Sequence, residues 1–499
     1  MRITAIPNRK ILLSIVSIAL ALCVLSPVAE SAQSAEPPKP PEPLFEWELT
    51  IGADGETAAN VMTVSQNGGV LIAGQTNSET LDADKPYGGY DAYVAYVSDN
   101  GQLVWQRRFG GTKDDRFTHV IELADGGVVA MGTTLSTDED AKNARGGLDV
   151  FIAYLTREGE TVWIKCLGGT GDDEMLAIEE ADDGSIFVCG NSGSRNGDLP
   201  SNKGGKDAWA TFLSRENGRP LQRILDGTPA DEQFTQIHKT SSGWLLLGDS
   251  AERGWPDDQE AQVAPFALML SDEGGEVWKV ELGGQGVNRL EGVLATDTGY
   301  ALFGDTNSTS IWMPSAKGGH DLWALSLRIN GAVSWQWTYG GTRDERFHSA
   351  IQNENGGYFI LGTTASDDGH VWGAHGAVDV WVVSISKGGT FGWQQTVGGS
   401  EASSPAGILQ TADGGVLVAG TTFAQDGDIG RHAARQTGFF ARLSVNGNLE
   451  WTRLIAPDKN MRLISLSQSG ANAYLLGSVY GADGESVRIW KTDGNLLME

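Results

Sequence analysis

The chain has 499 residues and a formal net charge of −28, with 64 acidic against 36 basic side chains, a surface that repels nucleic acid and argues against it as a partner. Sixty-seven Gly against 16 Pro, with 16 Trp and short runs of Val, Ile and Tyr, is the composition of many short strands joined by tight turns and excludes a mainly helical body. With so few cysteines, Cys166 and Cys189 beyond the N-terminal region, a disulfide framework is excluded; a single bridge between those two stays open beside two free thiols.

In chain order, Arg2, Arg9 and Lys10 precede an apolar run from Ile11 to Leu25 and small residues to Ala35, the pattern of a secretory signal peptide over 1–35. The run has about fifteen apolar residues, short of the ~20 that cross a bilayer, so no transmembrane segment is expected after its removal. Leu22 stands before Cys23 where lipoprotein processing needs a small residue, which argues against a lipid anchor. Loss of 1–35, with three basic groups and one acid, leaves a net charge of about −30. Residues 36–43 (EPPKPPEP) read as a stiff extended linker.

From residue 44 to 499 the sequence keeps a period. Trp47, Trp105 and Trp163 are 58 residues apart, and after a gap Trp278, Trp335, Trp393 and Trp451 follow at intervals of 57, 58 and 58, with Leu221 at the missing position. Such a period marks one supersecondary unit copied in tandem. In the second copy, strands are predicted over Phe117–Leu123, Val128–Thr133, Asp149–Leu155 and Thr161–Leu167, with tight turns at Asp125-Gly126-Gly127 and Glu158-Gly159 and one long loop ending in Arg145-Gly146-Gly147. Inner strands starting at Asn60, Phe117, Met175, Phe234, Leu290, Phe347, Ala406 and Arg462 give eight such units. Four-stranded sheets stacked radially bury their faces, and a closed ring protects their edges. The fold expected is therefore all-β: one eight-bladed β-propeller of four-stranded antiparallel blades, closed by the N-terminal strand Leu44–Ile51 as the outer strand of the last blade. The repeated Trp then packs each blade on the next.

The repeats GGTKDD (110–115), GGTGDD (168–173) and GGTRDE (340–345), with DGGVVAMGTT (125–134), NGGYFILGTT (355–364) and GGYDAYVAYV (88–97), resemble the secreted bacterial β-propeller repeats known as the SBBP family. That resemblance covers residues of about 45–499 and implies a propeller and an exported protein, periplasmic or extracellular; the family has no shared catalytic motif to carry over. NGQLVW (100–105) and EGGEVW (273–278) more distantly resemble repeat ends of PQQ-dependent dehydrogenases, whose adjacent cysteines and Ca²⁺/quinone ligands have no visible counterpart.

Strand parity places the long loops and the blade-to-blade connections on one face, where binding is expected. Two loop sets stand out there. Asp115, Asp173, Asp231 and Glu345 recur three residues after a Thr: a ring of carboxylates that gathers a cation such as Ca²⁺, or that accepts backbone N–H bonds to fix the blade junctions, the reading adopted here. No D-x-D-x-D-G loop supports calcium, and no cofactor or metal ligand set is assigned. Trp255, Trp312 and Trp372 fall in the long loops of blades four, five and six, off the repeat, and form the candidate ligand-binding set, for stacking on sugar rings or gripping a partner protein. Each instead plugs its loop onto its blade if it plays the part of Leu81, Leu199 or Ile429 elsewhere. His370 and His375 flank Trp372 without a metal-ligand spacing, and no nucleophile motif occurs, so no catalytic residue is assigned. The function expected is a non-catalytic binding or interaction scaffold; the alternative is a propeller enzyme acting on glycans, or a divergent PQQ-dependent quinoprotein.

Overall fold

The computed structural model describes residues 45–493 apart from 53, 82–85, 199–201, 252–261, 309–316 and 483; the proposed signal peptide and linker lie outside them. The described residues form thirty-two strands in eight four-stranded antiparallel sheets, with one 3₁₀ turn at Glu139–Ala141. None of their helical segments is long and apolar enough to cross a membrane.

Blade two shows the common plan: inner strand Asp115–Glu122, then Val128–Thr134, Asp149–Leu155 and the outer strand Thr161–Leu167. The two middle strands are buried on both faces, which is why VVAMGTT and DVFIAYL read as near-continuous apolar runs, while the inner and outer strands alternate. Each inner strand carries one bulge, here between Phe117 and His119, and the same slip recurs in all eight blades. The last blade pairs Met461–Ser469, Asn472–Gly481 and Gly484–Asp493 with Trp47–Ile51 as its outer strand, so the N-terminal strand closes the ring as expected.

Eight hydrophobic clusters hold the ring, one at each blade junction and each drawing on two neighbouring blades. The repeated indoles sit at these junctions. Trp47, Trp105, Trp163, Trp278 and Trp393 donate their Nε1–H to a carbonyl in the next blade's last turn, at Asp99, Arg157, Arg215, Ile329 and Val445, over 2.8–3.1 Å. Each ring packs against that turn's glycine: Gly159 has φ 78° and a Cβ there would meet the Trp105 ring at 2.5 Å, so no side chain fits.

The pairing register corrects the position taken by Leu221. Trp105 pairs with Tyr96 and Trp163 with Tyr154, one step after an outer-strand bulge. In blade three the residue at that step, opposite Phe212, is Gln222. The turn Ser214–Arg219 holds one residue more than Thr156–Glu160, which moves the anchor position on by one. Leu221 instead matches the bulge residues Val104 and Val162, and like them is exposed. Cys166 and Cys189 are free thiols in different blades.

Candidate functional site

Inner-strand starts and the long loops between second and third strands share one face. Asp115, Asp173 and Glu345 are there, as the first residues of their inner strands and fully buried rather than in open loops. Asp115 accepts the Gly111 N–H at 2.8 Å and the hydroxyls of Ser136, at 2.9 Å, and Thr134. Asp173 repeats this with Gly169 N–H, Ser194 and Ser192, and Glu345 with Gly341 N–H and Thr364. Each of these carboxylates thus bonds N–H and hydroxyl donors of the connection that leads into its own blade. Asp231 does not belong with them. The extra residue of the Ser214–Arg219 turn carries through to this connection, where Thr228 stands at the place of Gly111 and Gly169, so Glu232 takes the buried place and accepts the Thr228 N–H at 3.1 Å. Asp231 accepts Lys206 N–H at 2.8 Å, the role of Asp114, Asp172 and Asp344 elsewhere.

A second acid meets each of these from the preceding blade. Asp91, Asp149, Asp207 and Asp321 open third strands, are buried, and accept backbone N–H bonds through Oδ2 while Oδ1 has no hydrogen-bond partner. In the Asp321/Glu345 pair both carboxylates press on the Cα of Gly340, where a Cβ would meet them at 2.1 and 2.2 Å. Burial, followed by the neighbouring Glu345 charge, pushes Asp321 up to about 7. Asp91 rises to about 6, mainly from burial, with Asp115 adding to it and Arg108 opposing it from 3.3 Å. A proton held between two such carboxylates removes their repulsion.

At the mouth of the ring the blades differ. The residue after the second-strand glycine is Gln75, Thr133, Asn191, Thr363, Thr421 or Ser478 in six blades, and Asp249 and Asp305 in blades four and five. Asp305 pairs with His320 at 2.8 Å and Arg346 at 3.0 Å. Asp249 keeps one buried oxygen without a partner, and burial, the largest cause, pushes it up to about 7, with Glu291's charge adding to the rise. Sequence reasoning missed this cluster, whose signal is the acid in place of a neutral residue in G-D-S and G-D-T.

Of the three loop tryptophans, Trp255 and Trp312 lie outside the described residues. Trp372 is 54% exposed. Equivalent loop bonds to the first glycine of each connection come from Asp140, His370 and Asp428, which aligns Val371 with Ala141 and Ile429 as the buried plug. Trp372 is the next residue, freed from that role. Its carbonyl accepts the Gln394 amide at 3.0 Å, and its ring meets Phe391 edge-on at 6.0 Å. Phe391 stacks on His370 at 5.0 Å and lies 6.3 Å from Tyr339. Trp337, in the outer strand Val333–Tyr339 of blade five, is 48% exposed and borders Gly389, two residues before Phe391. Between blades five and six, Tyr339, His370, Phe391 and the exposed Trp372 thus form one aromatic row, and Trp337 is a second exposed indole beside the tight turn Ser386–Thr390. Trp337 was missed in the sequence, although W-Q-W at strand period puts it on the same face as the anchor Trp335.

His375 lies 3.5 Å from Asp379 and 3.6 Å from Asp428, and Asp368 is taken by Thr342 N–H at 2.8 Å. Among the described residues, no three His, Cys, Asp or Glu side chains are grouped to hold a metal.

No family model matches the chain. A curated relative, the regulatory protein FlaEY of Caulobacter vibrioides, is 22% identical over 379 residues, which are 66% of this chain and 38% of that protein. The chain thus spans well under half of that relative's length. Among solved structures, Sqt1 from Chaetomium thermophilum aligns over 90% of this chain and 99% of its own at 12% identity and TM-score 0.48. An apocarotenoid oxygenase from Synechocystis aligns over 84% and 94% at 9% identity and TM-score 0.39. At these scores neither alignment carries an argument, and the fold rests on the sheet topology.

Proposed function

We propose that the chain is an exported binding scaffold of the secreted repeat-propeller kind, acting outside the cytoplasm without catalysis, and that its long-loop side engages a protein or glycan through the aromatic row between blades five and six. The observation that carries this reading is Trp372, exposed beside its own loop's plug Val371 and seated on the aromatic row of Phe391, His370 and Tyr339. Exposed indoles on a rigid frame offer large contact area at low entropy cost, the kind of surface that stacks on sugar rings or anchors a partner. Tryptophan fluorescence titrated with bacterial polysaccharide fragments, alongside capture from an envelope extract, tests it. Saturable binding lost in Trp337→Ala/Trp372→Ala supports the reading; binding unchanged in that variant contradicts it.

The enzymatic alternative draws on Asp249, whose carboxyl, pushed up to about 7, has the proton affinity of a general acid near neutral pH. Release of reducing ends from a polysaccharide panel, lost in Asp249→Asn, would favour it.

A further inference from the structure

The blade three to four junction lacks the indole that its neighbours have, and a cleft stands in its place. Gln222 holds the anchor position and lies over Gly274 as Trp105 lies over Gly159. The Asp272 carbonyl corresponds in its turn to those of Asp99, Arg157, Ile329 and Val445, each of which accepts an indole N–H; a glutamine side chain is too small to fill the space an indole takes. The resulting cleft, of about 500 Å³, opens on the tight-turn face, opposite the long loops. That volume lies in the range of small-molecule sites, roughly 300–1,000 Å³. Its wall is aromatic: Phe212 stacks on Phe187 at 4.1 Å, and Trp244 meets both edge-on. Its rim carries Asp182, Asp183, Asp272 and Glu273 against the single ammonium of Lys239, which lies 4.8 Å over the Trp244 ring and pairs with Asp182 and Asp272. The Asp182 and Asp272 side chains are 84% and 62% exposed, so the surplus negative charge faces solvent.

We infer that this cleft is a docking site for a partner polypeptide presenting a tryptophan flanked by basic residues, the indole taking the seat left by the missing anchor and the cations meeting the acidic rim. The seat is built for that ring because the same fold places an indole in it at five other junctions. The excess of carboxylates selects a cationic neighbour for it. This site is separate from the aromatic row between blades five and six.

The probe is the peptide acetyl-Lys-Trp-Lys-amide, titrated into the whole protein and followed by calorimetry and by the Trp244 indole resonance. Saturable binding that shifts Trp244, weakens at least about tenfold in Gln222→Trp, and weakens similarly in Asp182→Asn/Asp272→Asn is expected. Gln222→Trp fills the seat from within, and the double surface variant keeps the test intact if the larger ring disturbs folding. No saturation by about 10 mM peptide overturns the proposal, as does undiminished binding to either variant. Equal affinity for acetyl-Gly-Trp-Gly-amide removes the charge requirement and overturns it as stated. Concentration-dependent self-association of the wild type, lost in Trp337→Ala/Trp372→Ala, would assign the seat to a second copy instead.

Discussion

Two neighbouring junctions solve the same packing problem differently. Between blades two and three, Trp163 is 8% exposed, packs on Tyr154 at 5.6 Å, lies on Gly218 and donates to Arg215 O at 2.9 Å. Between blades three and four, Gln222 takes the same register, and Phe212 stacks on Phe187 of its own blade and meets Trp244 of blade four edge-on. The ring is closed at both places because the middle strands supply most of the buried apolar surface in each cluster. The indole is thus a reinforcement added to a junction that already packs, and its absence changes the surface more than the fold.

Removing the reinforcement where it exists is the largest expected effect. Trp163→Ala should cost about 3–5 kcal/mol in urea unfolding, the range for truncating a buried tryptophan; a loss within about 0.5 kcal/mol would break the comparison. Supplying it where it is missing should act the other way: Gln222→Trp is expected to raise stability by about 0.5–2 kcal/mol, as filling a cleft commonly does.

The paired carboxylates on the opposite face give a pH signature. Asp91 and Asp321 have native pKa values raised to about 6 and about 7, above the ~3.9 of an unfolded aspartate. The native state therefore binds more protons, so their contribution is fully present below about pH 4 and is lost as pH rises through 6 to 7. Asp321→Asn, whose amide can donate to Glu345 at every pH, should flatten melting temperature against pH in that window and exceed the wild type above it. A wild-type contribution that instead grew through pH 6–7 would contradict the shared-proton account. Smallest in stability is Trp337→Ala/Trp372→Ala, expected within about 0.5 kcal/mol per site because both rings are half in water.

The propeller, its eight blades and its closing strand were legible because a period of about 58 residues survives in Trp, in G-G-T and in D-G-G. The two misplaced residues share one cause. Leu221 and Asp231 follow from a fixed count, and the one-residue insertion in the turn Ser214–Arg219 moves both structural positions on by one, to Gln222 and Glu232. Strand pairing absorbs such insertions in turns; a fixed count does not. The acids after G-G-T looked like a loop ring, yet in blades two, three and six they begin strands and spend their lone pairs on N–H and hydroxyl donors that only the folded connection brings together. Trp372 was legible as a residue off the period, and Trp337 was hidden by standing two residues from an anchor that explained its neighbourhood.

The most direct test of the anchor account is native-state hydrogen exchange at the last turn of each blade, comparing Gly274-Gly275 with Gly159-Glu160 and Gly331-Ala332. Turns held by an indole ring and its hydrogen bond should open less often, by about tenfold for an interaction of roughly 1–1.5 kcal/mol. The prediction is faster exchange at 274–275 in the wild type, slowed to its neighbours' rate in Gln222→Trp. Equal protection at all three turns in the wild type would contradict it.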